Sequence, residues 1–469
     1  MEDGMLRVAI VGIGFVGTAM AAAVSIARGE SGQPLFSVVA IDQDNDEGLR
    51  KVDMVNRGVL PVETTDQKLR EAIRDSVKQG ILSASTKLES VEDADVVVID
   101  INLDIALDES RSMGGLSLSD SGFLDTIGKI AHLIDPSCLI LVETTVPPGY
   151  TECKILPVIR ERFLERGISS DQVLLAHSYE RVMPGPNYLD SIREYFRVFS
   201  GINKVSSRKA RQFLESIINT KRFPLTELDS TVASETAKIV ENAYRALNIA
   251  FIQEWSAFAE EADIDLFAVL AAIRVRHTHQ NIMNPGFGVG GYCLTKDSYL
   301  GEWGGRNLIS NSIELPLSKK AIEINKTAPR YCFDLMWKNS CDLVSRRVGL
   351  FGVSYLPNVA DTRSSPSKTF VECCAQAGID VSVHDSIVDN WQDAKQRICR
   401  SLKDLPESLN IVVFAVKHDE YLEFTPAELV TRFPKLKLVV DGHDVVSESK
   451  RIEYRGLGVK VVGVGKGHW

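Results

Sequence analysis

Along this chain, short unbroken apolar runs alternate with longer segments that place apolar residues at helical spacing, the pattern of buried parallel strands connected by helices. Val8 to Val11 forms one such run, an alanine-rich helical segment follows it, and Phe36 to Ile41 is a second run. Further strands are expected at Asp95 to Ile101, Cys138 to Glu143 and Val173 to His177, with a helix over Arg208 to Asn219. Thr226 to Ser230 then reads as a linker. From Ser234 to about Ala262 there is no Gly or Pro, and Ala, Glu, Ile and Phe recur at helical spacing, which predicts a helix of roughly 40 Å. Another helical segment runs from about Leu315 to Lys326. A second α/β unit is expected from Arg346, with strands at Val348 to Val353, Val381 to Asp385, Ile411 to Val416, Leu436 to Asp441 and Val459 to Val464.

The first strand runs into Gly12-Ile-Gly14-Phe15-Val16-Gly17, a G-x-G-x-x-G loop that opens a helix. In such a loop Gly12 makes the tight turn, Gly14 admits a pyrophosphate onto the helix N-terminus, and Gly17 lets helix pack on strand. The second strand ends at Asp42, whose carboxylate can accept from both ribose hydroxyls and would repel a 2′-phosphate, so the expected cofactor is NAD and not NADP. Gly12, Gly14, Phe15, Val16, Gly17 and Asp42 are the cofactor-binding candidates. A signal peptide starting at Arg7 is the rival reading, and three glycines in fingerprint register argue against it. The fold class is α/β, with two Rossmann-like doubly wound domains joined by a long central helix and borders at 1–225, 226–335 and 336–469.

Composition narrows the function classes. A chain of 469 residues with 44% hydrophobic content can bury sizeable cores, and a net charge of −10 disfavours nonspecific binding to nucleic acid. No apolar run is long enough to span a bilayer. The eight cysteines form no C-x-x-C pair and no zinc-ligand spacing, and His277 and His279 read as loop residues, so no metal is expected and a reducing cytoplasm is.

One cysteine differs from the others. Gly288-Val-Gly290-Gly291-Tyr292-Cys293-Leu-Thr295-Lys296-Asp297 places a thiol after a glycine run and beside a cation and a carboxylate. Glycines let backbone approach a ligand closely, and a neighbouring ammonium favours the thiolate, so Cys293 is a candidate nucleophile.

The fingerprint, E-T-T-V-P-P-G-Y-T at Glu143 to Thr151, Y-E-R-V-M-P-G at Tyr179 to Gly185, Lys238 and Asn242 on the long helix, the Cys293 motif, D-T-R-S-S-P at Asp361 to Pro366 and A-V-K-H-D-E-Y at Ala415 to Tyr421 together resemble the UDP-glucose/GDP-mannose dehydrogenase family over nearly the whole chain. The resemblance implies oxidation of C6 of a nucleotide-linked hexose twice, from alcohol to acid, with two NAD. It implies an NAD domain, a central dimerisation domain carrying the thiol, and a C-terminal nucleotide-sugar domain. The thiolate of Cys293 would take the aldehyde as a thiohemiacetal, whose oxidation gives a thioester that water hydrolyses. Lys238 and Asn242, four apart on one helix, can both donate to a developing oxyanion. By similarity Asp297 and Thr145 position a proton-relaying water, Thr145 also borders the cofactor, and Glu180 activates water against the thioester. Glu143 supports structure. Lys238, Asn242, Asn281, Gly290, Lys296 and Arg363 resemble substrate contacts, with Arg363 expected to reach into a neighbouring subunit's site. A homodimer or higher homo-oligomer packed along the long helix is implied, with no nucleic acid or membrane partner.

Several positions depart from the family pattern. Ile99 to Asp104 stands where V-P-T-P is usual, Tyr179 and Thr295 replace prolines, and Leu356 replaces a Lys. Substrate signals are mixed: Pro184 and the N-x-x-x-P-G-x-G-V-G-G spacing from Asn281 resemble the UDP-N-acetylhexosamine branch, while Y-C-L-T-K-D is nearer to UDP-glucose enzymes. The expected substrate is UDP-N-acetylglucosamine or UDP-N-acetylmannosamine. The alternatives are UDP-glucose, GDP-mannose, a two-electron β-hydroxyacid dehydrogenase that needs no thiol, and a non-catalytic nucleotide-sugar-binding protein, which would have lost the nucleophile or its donors.

Overall fold

A computed structural model describes residues 5–108, 115–391, 394 and 396–469. The chain divides into two units. The first comprises residues 1–241 with 299–314, the second 242–298 with 315–469.

The first unit is built on strands β1 (Leu6–Val11), β2 (Phe36–Ile41), β3 (Leu82–Ser85), β4 (Val96–Ile99), β5 (Asp104–Asp108), β6 (Gly115–Ser119), β7 (Leu139–Val142), β8 (Leu174–His177), β9 (Val198–Gly201) and β10 (Thr226–Glu227). Eight of them form one sheet in the order β10-β9-β8-β7-β4-β1-β2-β3, and β5 and β6 form a separate ribbon. Within the large sheet only β8 and β9 pair antiparallel. Strands β4 and β7 are buried at every residue, which accounts for runs such as V-V-V-I and L-I-L-V that show no alternation.

The second unit carries β11 (Arg347–Phe351), β12 (Asp380–His384), β13 (Ile398–Cys399), β14 (Ile411–Phe414), β15 (Leu438–Asp441) and β16 (Lys460–Gly463). All pair parallel in the order β13-β12-β11-β14-β15-β16, with the order reversing between β11 and β14. That is the doubly wound arrangement, in which ligand crevices form beyond the carboxyl ends of the strands at the reversal.

The expected elements recur with three differences. The apolar run expected to continue to Ile101 stops at Ile99, and an antiparallel ribbon, β5 with β6, follows it. The segment read as a linker pairs Thr226 and Glu227 with Val198 and Phe199 as an edge strand, too short and too exposed to show a period. The helix expected to end near Lys326 runs from Pro316 to Lys338 through Pro329. A proline inside a helix forgoes one backbone hydrogen bond. Here its ring is buried, close enough to Gly288 that a Cβ on that glycine would lie 3.1 Å from Pro329 Cγ. The long helix spans Thr231–Glu261. Among the described residues no helix is long and apolar enough to cross a membrane.

Candidate active site

In the first unit β1 turns into the helix Phe15–Ser25 through the glycine loop. Gly12 has φ +111°, and a Cβ there would lie 2.5 Å from the Asp100 carbonyl oxygen. A Cβ at Gly17 would lie 1.8 Å from the Gly12 oxygen, so helix and turn meet only because residue 17 lacks a side chain. Gly14 differs: nothing lies within 4 Å of its Cβ position, and no side chain caps the helix that begins after it. An uncovered helix N-terminus beneath an open glycine is the cradle a pyrophosphate requires, and the residues present fit NAD. Phe15 and Val16 are half-buried in that first turn, where the Phe15 carbonyl accepts from the Tyr188 hydroxyl. Asp42, at the end of β2, accepts the Ile13 N–H at 3.1 Å and the Gln43 N–H at 2.8 Å, with Lys51 Nζ at 3.4 Å.

The Y-E-R segment follows β8. Lys238 Nζ donates to the Glu180 carbonyl at 2.8 Å, lies 3.3 Å from Glu180 Oε1 and sits 5.4 Å from the Tyr179 ring centroid. Lys238 and Glu180 are both buried. The Val182 N–H donates to the other carboxylate oxygen of Glu180, so that carboxylate is held by its own loop as well as by the lysine. Behind them His177 Nδ1 lies 2.7 Å from Ser234 Oγ, and burial, then the Lys238 charge, push the imidazole down to about 3. It is therefore neutral at working pH, which suits a site that already holds a buried ammonium. Thr145 is half-buried, two residues beyond Glu143 in the turn after β7.

Glu235, one turn before Lys238, was not foreseen as a site residue. It is fully buried and accepts the Gly149 N–H at 2.6 Å and the Thr151 N–H at 2.8 Å, tying the V-P-P-G turn to the helix that carries Lys238. Burial pushes its carboxyl up to about 8 against the pull of those amides. The signal was present: positions 235, 238 and 242 share one helical face.

The second unit holds the thiol. Cys293 is exposed, in the loop that leads into the helix Asp297–Gly304, and its carbonyl accepts the Asp297 N–H at 2.9 Å. Asn242 Nδ2 donates to Asp297 Oδ2 at 2.6 Å, and Lys296 Nζ lies 3.3 Å from Asp297 Oδ1. Lys296 also stands 4.2 Å from the Tyr292 ring centroid, with the Arg363 guanidinium 5.9 Å from the same ring. Asp361 grips Arg363 in a fork at 2.6 to 3.0 Å, and the Arg363 carbonyl accepts the Gly291 N–H. Burial opposes its charge, and Asp361 more than restores it. Tyr355, another residue the sequence did not single out, lies under the glycine run; burial, then Asp361, hold its phenol up at about 12. Asn281 Nδ2 donates to the Tyr244 hydroxyl at 2.6 Å.

The glycine run is a packing requirement. A Cβ on Gly290 would lie 2.6 Å from Tyr355 Cβ, and one on Gly291, at φ +81°, would lie 2.8 Å from the Tyr355 ring. Cys138 and Cys374, by contrast, are buried, and burial pushes both thiols up to about 12, which leaves them unreactive.

Comparison with known proteins agrees in all three parts of the chain. The NAD binding domain of the UDP-glucose/GDP-mannose dehydrogenase family matches residues 6–218, its central domain 232–327 and its UDP binding domain 349–448. A UDP-N-acetyl-D-mannosamine dehydrogenase of Methanococcus aeolicus is 27% identical over 98% of this chain and 96% of its own length. One from Pyrococcus horikoshii is 26% identical over 97% and 99%. Among solved structures, a UDP-D-ManNAc dehydrogenase from Pyrococcus horikoshii superposes with a TM-score of 0.81 at 23% identity, covering 99% of this chain and all of that one. A UDP-glucose dehydrogenase from Pyrobaculum islandicum gives 0.80 at 21%, covering 99% and 98%, so the shared fold does not itself discriminate substrates. With an NAD domain, a thiol-bearing central domain and a UDP domain matched in order, the chain belongs to the UDP-glucose/GDP-mannose dehydrogenase family, whose members are NAD-dependent nucleotide-sugar oxidoreductases.

Proposed function

We propose that the chain oxidises C6 of a UDP-linked 2-acetamido hexose, UDP-N-acetylmannosamine first among them, through aldehyde to uronic acid. The observation that carries the chemistry is the Cys293 loop: an exposed thiol next to Tyr292, whose ring Lys296 and Arg363 both approach, with the Asn242–Asp297 hydrogen bond at 2.6 Å. The acetamido sugar is supported by the names of the full-length relatives and by Pro184 in Y-E-R-V-M-P-G.

In this reading Asp297 and Thr145 hold the water that takes the C6 hydroxyl proton while hydride leaves C6. NAD, when bound, accepts the hydride at each of the two oxidations. The Cys293 thiolate bonds to the aldehyde carbon, and Lys238 and Asn242 donate to the oxygen that becomes anionic. A second hydride loss leaves a thioester. Glu180 takes a proton from water, the water oxygen bonds to the acyl carbon, and the carbon–sulfur bond breaks to release uronate and the thiol. Lys296, Arg363, Asn281 and Gly290 contact the nucleotide sugar. By role, residues 1–225 bind NAD, 226–335 carry the thiol and the dimer contact, and 336–469 take the nucleotide sugar. Tyr244, Phe251, Trp255 and Phe258, exposed at spacings of 7, 4 and 3 on the long helix, are proposed to pack against a second copy of the chain. A monomer in sedimentation velocity would remove that contact.

Initial rates of NADH formation with UDP-N-acetylmannosamine, UDP-N-acetylglucosamine and UDP-glucose test the substrate. The acetamido sugars should have the higher kcat/KM, because a pocket built for the amide leaves polar groups unpaired around a plain hydroxyl. Preference for UDP-glucose would overturn the assignment.

A further inference from the structure

Asp100 introduces a carboxyl that the mechanism does not use. It follows β4 directly, with its N–H donating to the Val11 carbonyl at 2.8 Å and its Cβ 3.4 Å from where a Cβ on Gly17 would stand. It therefore lies at the carboxyl end of the sheet, against the first turn of the cofactor helix. Both its carboxyl oxygens are shielded from solvent, and among the described residues neither meets an N–H or O–H donor. The group it faces is Glu143, at the end of β7, whose Oε2 is likewise buried and without a donor. Glu143 Oε1 accepts from Arg197, and that ion pair is itself almost fully buried.

Two carboxyls in mutual reach, each with an oxygen that no donor serves, are satisfied by a single proton between them. Both cannot be ionised at low cost when buried together. Arg197 decides which is the better anion: burial pushes the Glu143 carboxyl up as well, but the guanidinium paired with it opposes that rise. The other ionic groups facing Asp100 are Glu180, after β8, and Arg197, before β9. Each nearby cation already faces a carboxylate, Lys238 with Glu180 and Arg197 with Glu143, which again favours a neutral Asp100. Burial, then Glu143 and Glu180, push its carboxyl well above the usual range.

We propose that Asp100 is a carboxylic acid that donates its proton to Glu143 Oε2, and that this pair is a positioning clamp for the turn carrying Thr145. The same turn is also stitched to the end of β4 by its backbone and by Thr144. Glu143 and Thr144 both donate their N–H to the Ile99 carbonyl at 3.0 Å, and the Thr144 hydroxyl lies 3.1 and 2.7 Å from the carbonyls of Ile99 and Ile101. Loss of the Asp100 proton puts two anions face to face at the base of that turn. The folded chain holds a proton that the unfolded chain gives up near the ordinary carboxyl range, so the stability contributed by Asp100 falls as pH rises above that range and levels off beyond its own raised pKa.

The positioning of Thr145 rests on the mechanism proposed above; the protonation does not. Infrared spectra of wild type minus Asp100→Asn at neutral pH should show the carbonyl stretch of a protonated carboxyl, which disappears on alkaline titration. The melting temperature of Asp100→Asn relative to wild type should rise as pH goes from about 5 to about 8, since the amide keeps a donor and has no proton to lose. With the nucleotide sugar, Asp100→Ala should lower kcat about ten-fold at unchanged KM, the scale of one buried hydrogen bond lost, and Asp100→Asn should restore it. Absence of the band together with parallel melting profiles would overturn the shared proton. A band and a widening melting gap with kcat unchanged in Asp100→Ala would overturn the clamp alone.

Discussion

Cys293 stands apart from the buried thiols by exposure and by the charges around its loop, Lys296 and Arg363 against Asp297. Alanine at 293 should abolish uronate formation, because no acyl intermediate can form, whereas Cys293→Ser should turn over slowly, since an alkoxide is harder to form and an oxygen ester hydrolyses less readily. Quantifying uronate by mass spectrometry checks both, and near wild-type yield from Cys293→Ala would remove the covalent route. This thiol was legible in the sequence because glycines, a cation and a carboxylate are contiguous with it. Glu235, Tyr355 and Arg197 were not, because each acts on a partner dozens of residues away: Glu235 on Gly149 and Thr151, Tyr355 on the glycine run, Arg197 on Glu143. Nothing local marks them as more than a helix glutamate, an aromatic after a strand and a loop arginine.

At the scale of elements, the Gly288–Gly291 turn is the most demanding piece of backbone near the thiol. Gly291→Ala combines a side chain at φ +81° with a Cβ 2.8 Å from the Tyr355 ring, so it should cost about 1 to 3 kcal/mol and displace the loop that carries Cys293. Chemical denaturation and the rate of thiol alkylation measure the two effects; unchanged stability with an unchanged rate would show that the turn tolerates a side chain. Buried strands were legible because their apolar runs need no partner to be recognised, and β2 begins and ends where the run does. The ribbon of β5 and β6 was not, since its short alternating segments carry little apolar weight. Nor was the continuation of the helix through Pro329, because burial against the Gly288 turn, which a local reading does not see, outweighs the proline's missing hydrogen bond.

Over the whole molecule, two doubly wound sheets divide the chemistry, an NAD cradle on the first and the thiol loop with Arg363 in the unit built on the second. That the chain contains two α/β units and a long helix was readable from periodicity, and the family from motifs spread along the chain. The side-chain pairs within each unit, Lys238 with Glu180 and Asn242 with Asp297, needed the structure, since spacing puts residues on a face without saying what they meet. A four-electron oxidation carried by Cys293 fixes the stoichiometry of the reaction. Its most direct test is the ratio of NADH formed to uronate formed when a limiting UDP-N-acetylhexosamine is consumed to completion. Two NADH should form per uronate with little free aldehyde released, and a ratio of one, with aldehyde as the product, would rule out the thiol-borne second oxidation.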